Sequence, residues 1–63
     1  MNEQHSEIVA IVTTKPENLA GGGPPVFIAI DSKALQEISM TIEKIMDASA
    51  HEIDLNTIII VAR

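Results

Sequence analysis

Cysteine is absent from this 63-residue chain, and so are tryptophan and tyrosine. Without cysteine, neither disulfides nor thiolate metal sites can hold the fold together. Below about 70–80 residues, what remains is very good packing, self-association or a metal site built from other ligands. Phe27 is the single aromatic residue, which excludes the stacking platforms that hold single-stranded nucleic acids. Positive charge is equally scarce. Only Lys15, Lys33, Lys44 and Arg63 stand against nine acidic residues, for a net charge of −5. Phosphate backbones are gripped by clusters of lysine and arginine, so no nucleic-acid partner is expected.

Long hydrophobic runs are missing as well. Nothing approaches the roughly 18–20 consecutive apolar residues that span a bilayer. Residues 1–6 are polar and acidic, unlike the basic start and apolar stretch of a signal peptide. No membrane association and a cytoplasmic location are the resulting expectations.

What the chain does have is β-branched grease in short blocks. Ile8 to Val12, Val26 to Ile30 and Ile58 to Val61 read as three strands in a single small α/β domain. A half-exposed strand alternates apolar and polar residues, and these do not, so each is expected to be buried on both faces.

Between the first two strands lies a Gly/Pro-rich stretch, residues 15–25, containing Gly21, Gly22, Gly23, Pro24 and Pro25. At about ten residues it exceeds the two to five of a common hairpin loop. It can still close a hairpin, and an antiparallel first pair is expected. Asp31 or Ser32 then caps a helix whose apolar stripe is Leu35, Ile38, Ile42, Ile45 and Met46. Lys33, Gln36, Glu37, Glu43, Lys44 and Asp47 fall on its other face. No glycine marks a sharp end, so the helix is expected to fade around Ala48, Ser49 and Ala50. Residues 51–56 read as a connection, although Ile53 and Leu55 alternate with Glu52 and Asp54 and leave open a backward extension of the last strand.

The order is thus β-loop-β-α-β: a two-layer α/β (α+β) sandwich with a three-stranded mixed sheet. The helix joining the last two strands would make them parallel if they are neighbours. One helix, about 10 Å wide, can cover one face. The other face is expected to meet a second copy, giving a homo-oligomer and most simply a symmetric dimer. Candidate interface residues are Val9, Ile11, Phe27, Ile28 and Ile59 on the strands. Met40 joins them, since it lies about 140° off the apolar helix stripe at 100° per residue.

Candidate ligand sites are sparse. Gly21, Gly22 and Gly23 suggest a phosphate cradle, but they lead into two prolines that have no N–H to offer. Asp31, Ser32 and Lys33 sit where a strand ends and a helix begins, the place where open α/β sheets bind ligands; helix capping is by itself reason enough for Asp31 or Ser32 to be there. His5, His51, Glu52 and Asp54 match no metal-ligand spacing. No cofactor is expected, and no nucleophile–base constellation stands out.

The favoured function is therefore a small non-enzymatic interaction or regulatory protein acting as a homo-oligomer, with a further protein partner at its Gly/Pro loop. The alternative is a small-molecule or anion-binding protein, an enzyme included, whose pocket lies at a subunit interface.

Overall fold

In the computed structural model, residues 7–18 and 23–62 are described. Four strands form one sheet: β1 (Ile8–Thr13), β2 (Val26–Ile28), β3 (Ala48–Asp54) and β4 (Thr57–Ala62). A three-residue 3-10 turn, Pro16–Asn18, follows β1, and the helix α1 (Ser32–Met46) joins β2 to β3. The spatial order is β2-β1-β4-β3. β1 is parallel to β2, while β4 is antiparallel to both β1 and β3. The α+β class is as the composition suggests, but the sheet differs from the expected one in three respects.

The first two strands are parallel, with Val12 opposite Phe27, rather than a hairpin. A parallel connection needs about a dozen residues, and residues 14–25 supply that length. Secondly, the last strand pairs with β1 and not with β2, so the strands flanking the helix lie at opposite edges of the sheet. Thirdly, residues 48–54 form a strand rather than a fading helix end and a connection. The cause is Asp47. It adopts the left-handed conformation (φ 51°, ψ 55°), and its N–H closes the helix on the Glu43 carbonyl, so α1 stops at Met46 and the chain turns into β3.

Aspartate tolerates that conformation better than most residues, yet glycine carries no Cβ penalty there. A carboxylate beside a helix C-terminus also opposes the helix dipole. Asp47→Gly is therefore expected to stabilise the fold by about 0.5–1 kcal/mol, raising the melting temperature by a few degrees. Asp47→Asn should capture only the electrostatic part. A lower melting temperature for both variants would show that Asp47 has a favourable role.

The sheet has two unlike faces, assigned from register and strand alternation. Ala10, Val12, Ile58, Ile60, Ala48 and Ala50 share the face beneath α1, where they pack with Leu35 and Ile42 into the core. The opposite face carries Ile8, Ile11, Thr13, Thr57, Ile59 and Val61 from the central strands, with Val26 and Ile28 from β2. No described element covers most of it. At one end of this face Thr13 is fully buried, and its Oγ1 accepts the Lys15 N–H.

The helix was expected to bury Leu35, Ile38, Ile42, Ile45 and Met46. Instead its buried stripe is Leu35, Ser39 and Ile42. Ser39 survives burial because its hydroxyl donates to the Leu35 carbonyl at 2.7 Å. Ile45 and Met46 are 73% and 50% exposed. The helix start is as expected, with Asp31 Oδ1 accepting the Ala34 N–H at 2.8 Å.

Candidate functional site

Because α1 is tied to β3, it lies off-centre on the sheet. Gln36 Nε2 donates to Glu52 Oε2 at 2.9 Å, and the Ala50 N–H donates to Glu43 Oε2 at 2.8 Å. Both residues lie on the helix face expected to be solvated; they instead anchor the helix to an edge strand. Four strands span about 19 Å and one helix about 10 Å, so half of this face stays open. The helix packs mainly on β3, β4 and β1.

The open half is a groove of about 470 Å³. Its floor and outer wall are Val9, Ala10, Pro25 and Phe27, and its inner wall is the flank of α1 from Glu37 to Met46. Val9 reaches the groove because the pairing of β1 with β4 slips between Ile8 and Ala10. A bulge there lets neighbouring side chains turn to one side of the sheet. Among the described residues, Glu37 is the single charged one lining it and Thr41 the single uncharged polar one. Such a surface offers no general acid–base pair. It is shaped for apolar side chains.

β2 forms the outer rim, and here the sequence expectation of burial on both faces is overturned. Val26, Phe27 and Ile28 are all exposed, Phe27 by 43% and Ile28 by 62%. β2 is an edge strand of the sheet, and among the described residues no further strand pairs beyond it and no helix lies above it.

The structure distributes the candidate interface residues over both faces. Val9 and Phe27 line the groove. Ile11, Ile28 and Ile59 lie on the face away from the helix, by register. Met40 is exposed on the outer side of α1. Of the candidate ligand residues, Gly21 and Gly22 lie outside the described residues. Gly23 is exposed, with nothing within 4 Å of a Cβ built on it. Asp31 caps the helix, and Ser32 and Lys33 are exposed in its first turn. Gly23, Asp31, Ser32 and Lys33 do not line the groove. His5 lies outside the described residues; His51 is exposed, Glu52 bonds Gln36, and Asp54 Oδ1 accepts the Asn56 N–H. Among the described residues, no three His, Asp or Glu side chains come together as a metal site, and no helix is long and apolar enough to cross a membrane.

Sequence reasoning missed the groove because it treated the helix as central on a three-stranded sheet. The signal was present in the surplus of aliphatic residues on the flank of α1, where Ile38 and Ile45 exceed what one buried stripe requires.

Comparison with known proteins adds a family. The profile of the family described as capping complex subunit for YIEGIA matches residues 5–63. An uncharacterized protein of Bacillus subtilis (strain 168), YpzH, is 33% identical over 61 residues, covering 97% of this chain and 95% of that protein. No solved structure matches significantly.

Proposed function

This chain belongs to the family of capping complex subunits for YIEGIA, and from that premise we propose that it is a non-enzymatic subunit that binds a YIEGIA-family protein within such a complex. The observation that carries this reading is the large uncovered apolar surface of an otherwise acidic, very small domain. The groove beside α1 and the open face of the sheet both expose aliphatic side chains that a solitary protein would hide. The surfaces point in opposite directions, so they can serve two contacts at once.

The groove faces the partner, and the open sheet face supports self-association as a dimer. Sheets packed back to back would bury Ile11, Ile28, Ile59 and Val61 and leave both grooves outward. The test of partner binding is co-expression with the YIEGIA-family protein of the same genome, followed by capture through a tag on this chain. Stoichiometric co-purification is the expected result. A chain that purifies alone would overturn the reading.

Self-association has its own measurement. Light scattering at micromolar concentration should give twice the 6.8 kDa of one chain. Ile59→Asp places a carboxylate on the face away from the core, so the variant should return to the mass of a single chain with its circular dichroism unchanged. A wild-type mass of 6.8 kDa would end the dimer proposal and leave the partner proposal standing.

A further inference from the structure

The geometry points to the occupant of the groove: one amphipathic α-helix of a different chain, laid alongside α1 over β1 and β2. This rests on the reading that the chain is a partner-binding subunit, and it specifies what the partner inserts.

Two stripes run along α1. One, Leu35, Ser39 and Ile42, is spent on the sheet beneath. The other, Ala34, Ile38, Thr41 and Ile45, follows spacings of four, three and four residues. That rhythm is the seam along which two helices interlock side by side, with axes about 8–10 Å apart. Ile38, Thr41 and Ile45 all face the groove. The uncovered half of the sheet is about one helix wide, and its floor at Val9 and Phe27 is apolar. A helix lying there would complete a second layer that the chain itself only half builds.

The helix cannot come from the undescribed stretches within this sequence. Residues 1–6 and 19–22 are shorter than the roughly 11 residues of three turns. Nor does a second copy of α1 fit. Its buried stripe is engaged, and the face it could turn toward another floor carries Lys33, Met40, Lys44 and Asp47, of which three are charged. Charge completes the description of the guest. With Glu37 on the rim and a net charge of −5, a helix bearing lysine or arginine beside its apolar stripe is favoured in both docking and approach.

The experiment uses the full chain co-expressed with the YIEGIA-family protein. Ile45→Asp and Phe27→Asp alter residues already 73% and 43% exposed, so their circular dichroism and melting should stay near wild type. Each is expected to weaken the complex at least tenfold, whereas Met40→Asp, on the outer side of α1, should not. A photo-crosslinking residue at position 45 should then mark partner residues spaced three and four apart. Marks at every second residue would mean an added strand at the β2 edge and would overturn the helix. A complex indifferent to both groove variants would overturn the groove while leaving partner binding intact. Should Phe27→Asp fail to fold, Ile45→Asp decides. A wild-type chain that captures no partner would overturn the underlying reading and this inference together.

Discussion

Leu35→Ala is expected to leave the isolated chain largely unfolded. Leu35 is 1% exposed and sits on the stripe of α1 that packs on the sheet, in a core made mostly of alanine, valine and isoleucine. Emptying such a site costs about 2–5 kcal/mol, from lost burial together with the cavity left behind. A core of this size supports only about 3–5 kcal/mol in all. The loss is therefore comparable to the whole stability. Urea denaturation followed by circular dichroism should show a transition displaced to very low urea or absent. Met40→Ala, on the same helix but 54% exposed, should change stability by less than about 0.5 kcal/mol. Equal effects of the two substitutions would contradict the placement of α1. A bound partner raises the wild-type baseline, so the comparison belongs to the chain alone.

The second largest effect is expected at a polar pair. Thr13 Oγ1 and Thr57 Oγ1 lie 3.0 Å apart, cross-strand neighbours on β1 and β4, and both residues are buried. Thr13 Oγ1 also accepts the Lys15 N–H at 3.0 Å, fixing the turn where the chain leaves β1. Thr13→Val removes both bonds at nearly constant volume and strands the Thr57 hydroxyl, for a loss of about 1–3 kcal/mol. Thr57→Val should cost less, because Thr13 keeps its bond to Lys15. The double variant should be no less stable than Thr13→Val alone, a coupling of at least about 0.5 kcal/mol. Strictly additive losses in a denaturation cycle would show that the two hydroxyls do not interact.

Much of the helix could be read from the residues themselves. Asp31 caps it as expected, and Leu35 and Ile42 point into the core at the spacing that a 3.6-residue period requires. The helix end was harder to see, because Asp47 plays the part usually taken by glycine. That substitution hid the start of β3. Ala48 and Ala50, which pack into the core beneath the helix, also carry no β-branched signal. The alternation of Ile53 and Leu55 with Glu52 and Asp54 leaves open only a backward extension of the last strand, whereas β3 is a separate strand antiparallel to β4.

The pairing of β1 with β2 was misread for a different reason. Composition says which residues extend, but strand direction depends on where the connection runs, and the length of residues 14–25 was the cue. As for the groove, its residues were visible singly. Val9 and Phe27 stood among the interface candidates, and Ile38 and Ile45 in the helix stripe. Their convergence depends on the lateral offset of α1, which is set by Gln36 and Glu43 reaching β3, two contacts that no periodicity reveals.

Those two contacts have a consequence for how large any strand-joined assembly can become. The β3 edge has an N–H occupied by the Glu43 carboxylate and is fringed with His51, Glu52 and Asp54, whereas the β2 edge is apolar and, among the described residues, bare. A sheet with one sealed margin and one open margin can be extended from one side only. Two copies meeting through β2 would turn sealed margins outward on both sides, and addition would end there. Strand-joined growth would thus stop at two copies, and the hazard of a bare edge is confined to β2.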